Sequence, residues 1–227
     1  MCGITCAFDL KEDSSVLRPQ LLEMSKKLRH RGPDWSGIYS DNNAILSHER
    51  LAIVDPASGK QPLYGQNDDV VLAVNGEIYN HLTLRKEFEG SYNFRTESDC
   101  EVILALYEKY GFDFINKLNG IFAFALYDIK NKEYLLARDH IGIVPLYMGW
   151  DEKGTFYIAL ELKALEGYSN KIEIFPPGKY FSSKKGDLER WYERSWSLHT
   201  STDKEHKIAD KIRRSLEKAV YQQLMTD

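Results

Sequence analysis

Residues 121–127 read Ile-Phe-Ala-Phe-Ala-Leu-Tyr, an apolar run with no polar break. A strand with one face in water alternates apolar and polar residues, so a strand this uniform is covered on both faces. Packing is therefore required on each side of it. Tyr134-Leu135-Leu136-Ala137-Arg138 reads as the returning strand of a hairpin that turns at Lys130-Asn131-Lys132. Val70-Val71-Leu72-Ala73-Val74 is a second strongly apolar strand. The chain has 227 residues, 43% of them hydrophobic, enough for one substantial core or one domain plus an appendage. Aromatics make up 12%, led by Tyr, which favours a core rich in sheet.

Further strands follow from the pattern. Ile4–Phe8 reads as a short buried strand with Cys2, Ile4, Cys6 and Phe8 on one face. Ala44–His48 and Arg50–Asp55 read as two strands, and Pro145–Trp150 with Thr155–Ala159 as a hairpin turning at Asp151–Gly154. Pro176-Pro177-Gly178 marks a turn between edge strands, and Asp187–Trp196 reads as another strand. Leu17, Leu21, Met24 and Leu28 recur at helical spacing, predicting a helix from about Val16 to Leu28, with Ser14 or Ser15 as N-cap and Pro19 in its first turn. Asn80 is placed to cap a helix over 81–88. Ser98-Asp99-Cys100-Glu101 fits a capping box that opens a helix ending at Gly111. Thr202-Asp203-Lys204-Glu205 fits a second, ahead of a helix with Ile208, Ile212, Leu216, Val220 and Leu224 on one face. The chain thus divides into a strand-rich block, 1–196, and a linker with an amphipathic helix, 197–227. That helix either docks on its own domain or begins a neighbouring one.

Net charge is −4, which argues against a broad nucleic-acid surface. No apolar run approaches the roughly 20 residues of a membrane span. The start, Met-Cys-Gly-Ile-Thr-Cys, lacks the basic and apolar regions of a secretory signal. Cys2, Cys6 and Cys100 are odd in number and lack zinc-finger spacing, so a reducing cytoplasm suits them and no metal site is expected.

Several residues could carry chemistry. Removing Met1 would leave Cys2 with a thiol nucleophile and a free α-amine, whose ordinary pKa of roughly 7.7–8.0 makes it a usable base. A buried small apolar cysteine is the bland alternative. His30-Arg31-Gly32-Pro33-Asp34-Trp35-Ser36-Gly37 reads as a polar, glycine-rich loop. Arg50 interrupts an apolar alternation, either as a surface charge or as a fork for a carboxylate. Asn75-Gly76 is either a type I′ hairpin turn or a pair of donors for a developing oxyanion. Asp99, at the start of its helix, either complements the helix dipole or pairs with a substrate ammonium.

Taken in order, Cys2-Gly3-Ile4, residues 30–34, Arg50-Leu51-Ala52-Ile53-Val54-Asp55, Asn75-Gly76-Glu77-Ile78-Tyr79-Asn80, residues 98–101 and residues 138–147 closely resemble the glutaminase domain of glutamine-dependent asparagine synthetases. The wider family is the class II glutamine amidotransferases. Trp35-Ser36-Gly37 and Leu146-Tyr147-Met148-Gly149 favour the asparagine synthetases over the purine and hexosamine branches. The resemblance implies an α+β fold of the N-terminal-nucleophile hydrolase type: a four-layer αββα sandwich with two mainly antiparallel sheets between helical layers. It implies Cys2 as nucleophile and its amine as base, with Asn75 and Gly76 as oxyanion hole. Substrate contacts would come from Arg50, Leu51, Ile53, Val54, Asn75, Gly76, Glu77 and Asp99: Arg50 on the glutamine α-carboxylate, and Asp99, with Glu77 and backbone near Val54, on the α-ammonium. In that context the oxyanion reading of Asn75-Gly76 outweighs the hairpin.

The expected partners are glutamine and an ATP-dependent synthetase domain or subunit, with no nucleic acid and no membrane. A homodimer is compatible with the sequence. Glutamine hydrolysis needs no cofactor; ATP and Mg²⁺ belong to the synthetase part, whose Ser-Gly-Gly-x-Asp-Ser loop does not occur in these 227 residues. One departure stands out: Leu160 occupies a position where the family commonly has Ser, within Ala159-Leu160-Glu161-Leu162-Lys163-Ala164-Leu165.

Overall fold

The structure is a computed structural model that describes residues 1–55, 57–194 and 201–224. In chain order it contains β1 (Gly3–Phe8), α1 (Ser14–Lys26), β2 (Trp35–Ser40), β3 (Ala44–Arg50), β4 (Leu63–Tyr64), β5 (Val70–Ile78) and α2 (His81–Glu87). A 3-10 turn (Asp99–Glu101) then leads into α3 (Val102–Tyr110), followed by a second 3-10 segment (Gly111–Lys117), β6 (Gly120–Asp128), β7 (Glu133–Arg138), β8 (Tyr147–Trp150) and β9 (Phe156–Ala159). The remainder is α4 (Leu162–Leu165), β10 (Lys171–Ile174), β11 (Lys179–Ser182), β12 (Asp187–Arg190) and α5 (Glu205–Gln222).

The strands form two six-stranded sheets, ordered β10-β8-β9-β1-β3-β2 and β12-β11-β7-β6-β5-β4. Every pairing is antiparallel. The period of two along each strand splits its side chains between two cores. From β5, Val71 and Ala73 meet Ala123 and Ala125 of β6 and, from the other sheet, Ile4, Cys6 and Phe8 of β1; this is the core between the sheets. Val70, Leu72, Val74 and Ile78 point the other way, onto Leu84, Phe88 and the buried face of α3. On the far side, Ala7 and Ile45 pack on Leu17, Leu21, Met24 and Leu28 of the α1 region and on Ala164 and Leu165 of α4. The order is helix, sheet, sheet, helix, as expected for the four-layer sandwich. The apolar run 121–127 is almost wholly buried because β6 lies between two of these cores.

Local departures from the sequence reading have physical causes. Asp13, not Ser14 or Ser15, caps α1, accepting from Ser15 N, and Pro19 lies in the second turn. Arg50–Asp55 is not a strand: β3 ends at Arg50 and an irregular loop follows. Trp35-Ser36-Gly37, read as the end of a polar loop, instead begin the half-exposed edge strand β2. Asn75-Gly76 is not a hairpin turn, because β5 continues through it, pairing Asn75 with Ala123 and Gly76 with Phe122. The turn at 176–178 joins β10 of one sheet to β11 of the other, and β11 is internal. β12 stops at Arg190; the Trp196 end of its expected span and most of the 197–202 linker lie outside the described residues. Neither expected capping box closes. Ser98 does accept from Cys100 N, but Glu101 turns to Arg95 N and Thr96 N. Lys204 is the N-cap of α5 and makes no side-chain cap. Asn80 occupies the N-cap position of α2, yet its side chain bridges Lys117 O and Asn119 N instead. The apolar stripe of α5 is exposed, with no buried residue in the helix.

Candidate active site

The site forms where β5 outruns its neighbour. β4 pairs only with Leu72 and Val71, so among the described residues the edge of β5 from Val74 onward has no strand beside it. Buried backbone groups must still be paired, and side chains do this. Gln61 Oε1 accepts from Val74 N at 2.8 Å, and His48 Nε2, from the other sheet, donates to Val74 O at 2.9 Å. Asp99 Oδ2 accepts from Ile78 N at 2.7 Å. Gly76 O accepts from Cys100 Sγ at 3.5 Å. Strand alternation puts the Gly76 N–H on this same edge, between two N–H groups that side chains occupy. A Cβ at Gly76 would lie 2.5 Å from Ile121 O and 2.8 Å from Phe122 Cβ, so only glycine lets β5 lie this close to β6.

Cys2 lies just before β1, across from this edge. Its backbone N donates to Asn75 Oδ1 at 2.9 Å, and its Sγ lies 3.4 Å from Leu51 N and 3.5 Å from Leu51 O. With Oδ1 engaged, Asn75 Nδ2 is left buried and without a partner among the described residues. A buried unpartnered donor is costly, and here it belongs to the side chain that holds Cys2. Burial pushes the Cys2 thiol up, against the Leu51 backbone hydrogen bond and the charges of the N-terminus, Arg50 and Arg31. The sulfur is therefore a neutral thiol that needs a base. Met1 is attached and lines the cleft, so the Cys2 nitrogen is a peptide N–H in this chain.

Arg50 is buried at the end of β3, and its Nη2 donates to Val54 O at 3.2 Å and to Asp55 O. It thereby holds the loop that Leu51 opens. The Asp55 carboxylate accepts from Ser58 N and, across the cleft, from Glu97 N, tying this loop to the segment before Asp99. Burial raises the Asp99 carboxyl above the ordinary carboxylate range, although the Ile78 N–H opposes it. Glu77 is raised by burial and by the Asp99 charge beside it. Two crowded acids form a place for a cation.

Cys2, Arg50, Leu51, Ile53, Val54, Asn75, Gly76, Glu77 and Asp99 all line one cleft of about 590 Å³, including its open mouth. A thiol, a side-chain amide with a strand-edge N–H, a guanidinium and an acid pair thus line one cleft. Among the described residues, no group of three or more His, Cys, Asp or Glu is arranged to hold a metal ion.

Four side chains at the site carried no individual assignment in the sequence reading. Gln61 and His48 pin the β5 edge. Arg31 Nε donates to Cys2 O at 2.8 Å, and Glu161 Oε1 accepts from Arg31 Nη1 at 2.8 Å. A cis peptide joins Gln61 to Pro62. Arg31 and Glu161 lie in segments the resemblance quoted, so the motifs pointed near them; Gln61 had no such signal.

Residues 1–183 match the family described as "Glutamine amidotransferase domain". The chain belongs to that family. Asparagine synthetase B [glutamine-hydrolyzing] of Escherichia coli is 51% identical over all of this chain and 41% of its own length. Asparagine synthetase [glutamine-hydrolyzing] 1 of Arabidopsis thaliana is 46% identical over all of this chain and 38% of its own length. The amidotransferase chain therefore spans about two fifths of these curated relatives. Among solved structures, the glutamine phosphoribosylpyrophosphate amidotransferase of B. subtilis superposes with a TM-score of 0.70 at 22% identity, covering 85% of this chain and 50% of that one. At that identity the likeness speaks for the fold.

Proposed function

We propose that the chain, once Met1 is removed, hydrolyses the side-chain amide of glutamine to glutamate and ammonia. The observation that carries this is Asn75, which lines the cleft beside Cys2: its Oδ1 holds the Cys2 nitrogen while its Nδ2 is buried with no partner among the described residues. Arg50 receives the α-carboxylate and Asp99 with Glu77 the α-ammonium, with Leu51, Ile53 and Val54 forming the wall. Cys2 Sγ attacks the amide carbon and its proton passes to the freed Cys2 amine. The oxyanion forms against Asn75 Nδ2 and Gly76 N–H. The amine then protonates the leaving nitrogen, ammonia departs, and water hydrolyses the thioester.

The ammonia is used by an ATP-dependent synthetase domain or subunit that amidates aspartate to asparagine; the full-length relatives' names support that reading. Residues 1–196 are the amidotransferase domain, and 197–227 lead into the synthetase part. Glutamine hydrolysis itself needs no cofactor, and ATP and Mg²⁺ serve the synthetase part. The protein works in the cytoplasm, in keeping with its unpaired cysteines, and the described helices include none long and apolar enough to cross a membrane. The test is glutamate release from glutamine by the Met1-free chain. Release that is lost in Cys2→Ala supports the reading; no release from the wild type refutes it.

A further inference from the structure

Among the described residues Cys2 has no ladder partner. β1 begins to pair at Gly3 with β3 and only at Thr5 with β9. Side-chain contacts must therefore set the orientation of the nucleophilic residue. One end is held by Asn75 on the Cys2 nitrogen, and the other by Arg31 Nε on the Cys2 carbonyl. The Arg31 side chain is only 8% exposed. A buried guanidinium is costly unless a counter-charge and hydrogen bonds meet it.

Glu161 supplies that charge. Its Oε1 takes Arg31 Nη1 at 2.8 Å and contacts His30 Nε2 at 3.1 Å, while Lys163 Nζ lies 3.1 Å from its Oε2. Burial opposes ionisation here, but hydrogen bonds from Arg31, Lys163 and His30 outweigh it and hold the carboxyl down at about 2. The backbone fixes the acid as firmly as the charges do. Leu160 N donates to Ile4 O at 3.2 Å, extending the β1–β9 pairing to the residue before Glu161, and α4 starts just after it.

We propose that Glu161 is a positioning residue for the nucleophile, acting through Arg31 on the Cys2 carbonyl. Glu161, Arg31, Cys2 and Asn75 form a continuous chain of contacts of 2.8, 2.8 and 2.9 Å. Since Cys2 carries both nucleophile and base, rotating its carbonyl misdirects both. This inference rests on the glutaminase reading and assigns the acid no contact with substrate.

The test is steady-state glutamine hydrolysis by Met1-free Glu161→Ala and Glu161→Gln, with Met1 removal checked by intact mass. Ala removes both acceptor and charge, and kcat falls on the order of 10-fold, the scale of a small misplacement of reacting groups. KM stays within about twofold, because the interactions with bound glutamine are untouched. Gln keeps an acceptor for Arg31 but no charge, and kcat falls roughly threefold, consistent with the weaker neutral hydrogen bond. If Glu161→Ala does not fold, the Gln variant alone decides. Unchanged kcat in the folded variants, with or without a lower Tm, overturns the proposal, as does a rise in KM alone. A wild-type chain without activity would refute the glutaminase reading instead, so the two failures are distinguishable.

Discussion

At the scale of single residues, the cleft holds a buried amide donor with no partner among the described residues and two acids whose carboxyls are raised. Asn75 carries that donor, with one amide atom committed to Cys2 and the other buried without a partner among the described residues. Asn75→Ala is expected to lower kcat by about 10²–10³ with a smaller effect on KM, as for loss of one oxyanion donor elsewhere; steady-state kinetics measure it. Asp99 and Glu77 make the complementary case for the ammonium. Both are raised, by burial first and, for Glu77, by the neighbouring Asp99 charge. Raised carboxyls take up protons at a higher pH than ordinary ones. Acidification should therefore raise KM for glutamine before exposed carboxylates titrate, and Asp99→Asn should remove most of that pH dependence along with much of the affinity. A KM profile flat down to the ordinary carboxylate range would contradict this. That Cys2, Asn75 and Asp99 would meet in one cleft was implied by the ordered motifs, and the fold brings them together. The acceptors that brace their surroundings were not implied, because Gln61, which accepts from Val74 N, and Glu161, which accepts from Arg31, act by three-dimensional proximity across the chain.

At the scale of elements, the edge of β5 is the organising feature. Locally, Asn-Gly between apolar runs reads as a turn. The strand passes straight through because β6 pairs with residues 70–78 in unbroken register, a long-range fact that a local pattern cannot supply. The same holds for Ile53 and Val54, whose apolar character suggested a strand; they line the cleft instead. β2 escaped notice because an exposed edge strand carrying Ser and Gly lacks the alternation that marks a half-buried one. His48 on β3 ties one sheet to the β5 edge of the other and is fully buried, with burial lowering it to about 4 from an ordinary 6.5. The unfolded chain then binds the proton more readily, so stability from neutral His48 is complete above about pH 6.5 and is lost as pH falls towards 4. Unfolding midpoints measured across that window should fall on acidification, and less steeply in His48→Gln. α5 makes a contrasting prediction. Its apolar residues are exposed, so a chain ending at Arg194 should unfold at the same midpoint as the full chain.

At the scale of the whole molecule, the two sheets place β1 centrally, so that the nucleophile enters the cleft from a rigid core while the loop after β3 and the segment before α3 close over it. The double covering of the central strands was legible in their apolar residues on both faces, whereas the four-layer arrangement was implied by the family resemblance and not by any local pattern. What lies beyond the amidotransferase domain was legible only as an amphipathic stripe. Supplied with glutamine, aspartate and Mg-ATP, this chain should accumulate glutamate and no asparagine, read by amino-acid analysis. The central claim is that Cys2, freed of Met1, is the nucleophile of a glutamine-specific cleft. Intact mass before and after exposure to an electrophilic glutamine analogue tests it most directly. The account predicts loss of Met1 and one adduct, absent in Cys2→Ala and slowed in Arg50→Ala. A chain that retains Met1, or that loses Met1 and still gains no adduct at Cys2, would contradict it.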